Sequence, residues 1–140
     1  SLRRLIRQAN HARGLMIGRG AIRNPWLFAQ IRQHRRGDPP FVPRGRDVLA
    51  YIHALYRVTL PAAGRLPGHV QRMKRYMNHL GLGVEPSGRF LHDIRRVASE
   101  ADFFRVCDEI LDHDRPLPLA PYAQASAESS AAAATLGGVA

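Results

Sequence analysis

The sequence has one cysteine, one tryptophan and one lysine among 140 residues. A single thiol, Cys107, excludes an internal disulfide framework and a cysteine-rich zinc site, and it is consistent with a reducing cytosol. No run of about 18 or more apolar residues occurs, so no transmembrane helix is expected. The amino-terminal arginines lack the apolar segment and cleavage pattern of a secretory signal. Acids are scarce in most of the chain. Residues 1–99 hold four (Asp38, Asp47, Glu85, Asp93) against 19 Lys and Arg, a net of +15. Residues 100–140 hold seven acids against two arginines, a net of −5. A basic body with an acidic last helix points to a polyanionic partner for the first part. Twenty of the 21 basic residues are arginine. Arginine forks suit phosphate oxygens, although a G+C-rich genome gives the same bias.

The most informative stretch runs from Gly14 to Phe28. Leu15, Met16 and Ile17 are apolar without alternation, as in a strand covered on both faces of a parallel sheet. Gly18 and Gly20 permit a tight turn and close approach of a ligand to the backbone. Asn24 is a suitable N-cap and Pro25 suits the first helical position. Trp26, Leu27, Phe28 and Ile31 give the following helix a bulky apolar side, to about Arg36, and Gly37 ends it. A strand end, glycines and a helix start present free N–H groups to an anion such as phosphate. The Gly-Arg-Gly tripeptide by itself fits a tight βα turn without a ligand better than a phosphate site.

Upstream, Ser1 to about Asn10 reads as a helix with Leu2, Leu5, Ile6 and Ala9 on one side. Downstream, the Pro- and Gly-rich residues from Gly37 to Gly45 read as a linker. Asp47 caps a helix to about Leu60, stopped by Pro61, with Val48, Ile52, Leu55 and Thr59 at helical spacing and Leu49 and Tyr56 widening the stripe. The helix His69–Leu80 places Val70, Met73, Met77 and Leu80 on one face, Arg72, Arg75 and His79 nearly opposite, and Lys74 to one side. A third helix, about Ser87 to Ala98, buries Phe90, Leu91, Ile94 and Val97 and turns Arg89, His92, Arg95 and Arg96 outward. Ser99 and Asp102 resemble a capping box that opens a helix to about Leu111, with Phe103, Phe104, Val106, Cys107, Ile110 and Leu111 facing the core. Cys107 thus reads as a small buried hydrophobe, and Asp108, Glu109, Asp112 and Asp114 as a solvated acidic face. Arg115 to Tyr122 reads as extended chain lying against the helices. From Ala123 onward Ala, Ser and Gly dominate, and a flexible tail is expected. His11, His34, His53 and His113 have no partner at ligand spacing, so no metal site is expected. Two successive helices with arginine-rich outer faces suit a phosphate-tracking surface, which needs cations along a groove and no base-specific geometry.

The string Met16-Ile17-Gly18-Arg19-Gly20-Ala21, then Asn24-Pro25-Trp26-Leu27-Phe28, closely resembles the end of the barrel in tRNA-dihydrouridine synthases. Arg72-Met73-Lys74-Arg75-Tyr76-Met77 resembles that family's C-terminal helical domain. The resemblance, covering about Ala12 to Tyr122, implies a mostly α chain. It would comprise the last strand and helix of a (β/α)8 TIM barrel (residues 1–37), a linker (38–46), a helical tRNA-binding domain (47–122) and a flexible tail (123–140). It also implies an FMN enzyme that uses NADPH to reduce uridine to 5,6-dihydrouridine in tRNA, cytoplasmic and monomeric. Gly18, Arg19 and Gly20 would hold the FMN phosphate, and Arg72, Lys74, Arg75, Arg95 and Arg96 the tRNA phosphates. A complete barrel needs about 250 residues, so the chain is expected to be the C-terminal part of a longer enzyme and to catalyse nothing by itself. In the family the proton-donating cysteine lies upstream, so Cys107 does not inherit that role. Two other readings stay open: a freestanding basic helical RNA-binding module without flavin, and another FMN-dependent barrel oxidoreductase.

Overall fold

The computed structural model describes residues 16–61 and 66–119. The helix expected over residues 1–10, Leu15 and the tail from Ala123 lie outside them, as do residues 120–122 of the extended segment. Among the described residues the fold is helical with no strand. Its α-helices are α1 (Arg19–Arg23), α2 (Leu27–Arg36), α3 (Gly45–Thr59), α4 (Leu66–Leu80), α5 (Arg89–Arg96) and α6 (Glu100–Leu111), with a 3-10 turn at Gly81–Gly83. The chain divides into two compact units, Ser1–Phe41 and Val42–Ala140.

In the first unit, the expected strand is not formed at Met16 and Ile17. Both are irregular, and Met16 is 96 % exposed. A buried parallel strand needs a neighbour to pair its N–H and C=O groups, and no described residue provides one. Arg19 and Gly20, expected in a turn, instead begin α1, with Ala21 N–H donating to Gly18 O at 3.0 Å. Asn24 closes α1 rather than opening α2: its N–H donates to Gly20 O at 3.0 Å. Its Oδ1 accepts from Trp26 N–H at 3.2 Å, an Asx turn that carries the chain past Pro25 and delays α2 to Leu27. Gly37 ends α2 as expected, with φ 80° and its N–H on His34 O at 3.1 Å. The expected apolar side of α2 is not buried, and Phe28 is 49 % exposed. Gln30 and Gln33 grip the main chain of Phe41 at 2.7 and 2.8 Å.

The second unit carries the core. Val48, Ile52 and Tyr56 of α3 are buried with Val70, Met73, Met77 and Leu80 of α4, as are Phe90, Leu91 and Ile94 of α5 and Phe103, Val106, Cys107 and Leu111 of α6. These are the stripes that helical spacing marks out, with Leu55, Thr59 and Ile110 only half-buried at their edges. Three helix starts differ from expectation, the first being α4, which begins at Leu66 and not at His69. α3 begins at Gly45, and Asp47 sits in its first turn, its Oδ2 accepting from Arg44 N–H at 2.7 Å. α5 is confined to Arg89–Arg96 because Gly88 is left-handed (φ 76°) and Val97 is extended. His69, at 1 % exposure, is a buried polar residue that the sequence pattern does not mark. Its ring meets Tyr56 edge-on at 4.3 Å, and its Nε2 lies 3.0 Å from Tyr56 O.

After α6 the chain returns across the start of α3. Gly45 N–H donates to Arg115 O (3.2 Å), Arg46 N–H to His113 O (3.1 Å) and Leu117 N–H to Pro43 O (2.7 Å). First-turn N–H groups that a helix leaves unpaired are thereby satisfied. Leu117 and Leu119 are buried, as expected for an extended segment lying on the helices.

Glu85 organises the entry to α5. Its carboxylate accepts from Ser87 N–H and Phe90 N–H, both at 2.9 Å, and from Ser87 Oγ at 2.6 Å. Burial alone would raise its pKa, but the bonds from Ser87, Phe90 and Arg89 outweigh that and hold it below the ordinary 4.5. A lowered carboxylate pKa adds stability that is complete above the ordinary value and lost as pH falls through the folded one. Glu85→Ala is therefore expected to cost about 1 kcal/mol at neutral pH. That cost should shrink on acidification, as read from urea midpoints across the acid range.

Candidate phosphate turn and nucleic-acid interface

The first unit places Gly18, Arg19 and Gly20 together at the start of α1, and all three are exposed. N–H groups in the first turn of a helix have no intrahelical acceptor. A Cβ built on Gly18 would meet nothing within 4 Å, so that side of the backbone is open to a ligand. Gly20 is different: a Cβ there would touch Ile17 Cγ2 at 3.6 Å and Leu27 Cδ2 at 3.9 Å, ordinary packing distances. First-turn N–H groups with no acceptor among the described residues, an unobstructed Gly18 and the exposed Arg19 side chain fit a phosphate. This fit concerns the phosphate alone.

The second unit separates its cations into two sets. Arg46 of α3 is paired with Asp112 (2.8 Å) and Asp114 (3.2 Å) beyond α6. Arg89 is paired with Asp93 at 3.3 Å and with Glu109, and Arg105 with Asp102 at 3.5 Å and Glu109 at 3.8 Å. The hydrogen bond from His92, and then Arg89, keeps Asp93 below the ordinary carboxylate range. The acids around α6 are thus exposed but largely matched by arginines, and not only solvated as the sequence suggests.

The other set has no carboxylate at ion-pair distance among the described residues. Arg72 Nη1 donates to Thr59 O at 3.3 Å, and Arg96 Nη1 to His92 O at 3.0 Å. Arg95 Nε donates to Asn78 Oδ1 at 3.1 Å, bonding α5 to α4. Lys74 Nζ donates to Val97 O at 2.8 Å, so this residue joins the end of α5 to α4 and is only half-exposed. Lys74 and Arg75 lie one helical turn before Asn78, which puts Lys74, Arg75 and Arg95 along one seam, with Arg72 one further turn away. Arg96 stands apart from the seam. It lines a groove between α5 and α6 with Arg89, Arg105, Asp93, Asp102 and Glu109, where both signs of charge meet. Asn78 is the residue sequence reasoning passed over at this seam. Its signal was its helical register with Arg75, but nothing local shows that Arg95, 17 residues on, will reach it.

Cys107 is fully buried. Burial, and then Asp108, push its thiol up to about 12, which leaves it inert as a nucleophile. The His53 ring stacks on Phe104 at 4.4 Å, and His113 Nδ1 accepts from Arg115 N–H at 3.2 Å. Among the described residues, no group of three or more His, Cys, Asp or Glu side chains is placed to hold a metal ion. No described helix is long and apolar enough to cross a membrane.

A family model described as dihydrouridine synthase matches residues 1–113. The match covers both Gly18–Gly20 and the helices α3 to α6. No curated protein and no solved structure matches the chain.

Proposed function

The chain belongs to the dihydrouridine synthase family, and on that premise we propose that it forms the C-terminal part of an FMN- and NADPH-dependent enzyme that reduces uridine to 5,6-dihydrouridine in tRNA. In that reading residues 1–37 are the last βα unit of the flavin barrel and 47–122 the domain that grips tRNA. When bound, FMN supplies a hydride, taken from NADPH, to the C5=C6 bond of the uracil ring. The chain's own part is to bind and orient. Backbone N–H groups at Gly18, Arg19 and Gly20 hold the FMN phosphate, and the Arg19 guanidinium adds positive charge there. Arg72, Arg75 and Arg95, with Arg96 on the neighbouring groove and Lys74 at the seam, hold tRNA phosphates. No residue of this chain donates the proton.

One observation carries this reading beyond the family match. Although acids lie within reach of Arg46, Arg89 and Arg105, none pairs with Arg72, Arg75, Arg95 or Arg96 among the described residues. An uncompensated cation is what a phosphate contact requires.

The test is dihydrouridine formation in unmodified tRNA by the intact synthase, supplied with FMN and NADPH. Gly18→Val is expected to reduce flavin retention and turnover at least about tenfold, since branched carbons occupy the phosphate's approach. Helix content should not change, because that side of Gly18 meets nothing within 4 Å. A variant that retains flavin normally removes Gly18 from the site. The irregular Met16–Gly18 segment favours one rival, a basic helical RNA-binding module without flavin. A colourless intact polypeptide that still binds tRNA would establish the rival.

A further inference from the structure

Resting on the reading of the α4–α5 seam as a tRNA-binding face, we propose that Asn78 is a positioning residue: it orients the Arg95 guanidinium for an RNA phosphate while leaving the arginine's charge uncompensated. Both residues are exposed. The bond runs from Arg95 Nε to Asn78 Oδ1 at 3.1 Å, so the two Nη groups remain for a ligand. These are the groups an arginine fork offers to two phosphate oxygens. A side chain already held in place loses less conformational freedom on binding.

The chemical identity of the holder is the decisive feature. Arg46, Arg89 and Arg105 are held by carboxylates, which fix the guanidinium and cancel its charge together. An amide supplies the same acceptor geometry with no charge. Asn78 thereby does for Arg95 what Asp112 does for Arg46, without removing it from electrostatic play. The seam also does not depend on this bond for its shape, because Lys74 Nζ on Val97 O (2.8 Å) ties α5 to α4 separately.

The sharpest variant is Asn78→Asp, which keeps the acceptor and adds the charge. With the full chain and an unmodified tRNA transcript, fluorescence anisotropy over a range of NaCl concentrations reads affinity and salt slope. N78D is expected to weaken binding about tenfold near 0.1 M salt and to flatten the log–log slope by about 1, as for the loss of one phosphate contact. Its Tm should stay within about 3 °C of the unaltered chain, as for a surface substitution. Asn78→Ala, which frees Arg95 without neutralising it, is expected to lose only about threefold with the slope unchanged. In an Arg95→Ala background, N78D should add less than about twofold, because the coupled partner is gone. A merely structural Asn78 would leave the affinity of Asn78→Ala unchanged and would let N78D lose as much in the Arg95→Ala background as in the unaltered chain. Salt-dependent binding that N78D leaves intact, or a full tenfold loss on top of R95A, overturns this inference alone. Salt-insensitive tRNA binding by the unaltered chain overturns the parent reading, and this inference with it.

Discussion

Alanine at both Arg75 and Arg95 is expected to weaken tRNA binding about 30-fold near 0.1 M salt and to flatten its salt slope by about 1.5. Each arginine is exposed and neither pairs with a carboxylate among the described residues, so its charge is available to a phosphate. Losing two such contacts corresponds to about 2 kcal/mol. The fold should be unaffected, because neither side chain belongs to the core. Arg46→Ala, which removes one charge and not two, is the control when losses are compared per charge removed. Its guanidinium already faces Asp112 at 2.8 Å and Asp114 at 3.2 Å, so that patch offers a phosphate no net positive charge even before the substitution. Titrations of both variants with the same transcript check the contrast. An equal loss per charge removed would mean that total charge, and not the seam, governs binding.

Gly45→Ala is expected to destabilise the helical unit by about 3 kcal/mol. A Cβ at this position would collide with Leu111 O and lie 2.5 Å from His113 Cε1 and 2.6 Å from its Nδ1. The imidazole can rotate away, but Leu111 O is main chain at the end of α6. Moving it disturbs the bonds from Gly45 N–H to Arg115 O and from Arg46 N–H to His113 O, at 3.2 and 3.1 Å. Closure of α3 against α6 would loosen, and with it the Arg46 ion pairs. The loss is a large fraction of the about 5–15 kcal/mol typical of a domain. Urea denaturation followed by circular dichroism measures it, and a shift below about 1 kcal/mol would show that the return segment is soft.

Periodicity made the core legible. Val70, Met73, Met77 and Leu80 recur at helical spacing, and all are at most 2 % exposed. Local capping chemistry was readable too: Ser99 Oγ accepts from Asp102 N–H at 3.1 Å, and Gly37 takes the left-handed conformation that closes α2. What sequence reasoning missed depends on contacts between distant residues. Met16 and Ile17 belong to an apolar run without period, which reads as a buried strand only if a neighbouring strand pairs with it, and no described residue does. At Asn24 two local options compete, an N-cap and an Asx turn, and the turn wins. Glu85 lies in a loop, where no pattern announces a cap for a helix that starts four residues later at Arg89. The need for glycine at position 45 arises from Leu111 and His113, far along the chain. The same holds for charge. Composition separates a basic body from an acidic last helix, but only the fold shows that Arg46 and Arg89 meet the acids while, among the described residues, Arg75 and Arg95 do not.

Arg72, Arg75, Arg95 and Arg96, with no carboxylate partner among the described residues, are proposed to neutralise RNA phosphates. The most direct test of that central claim is the salt dependence of tRNA binding by the unaltered chain. Three or four phosphate contacts give a slope of log Kobs against log salt of about −3. A slope near zero, with binding that persists undiminished at high salt, would contradict the account.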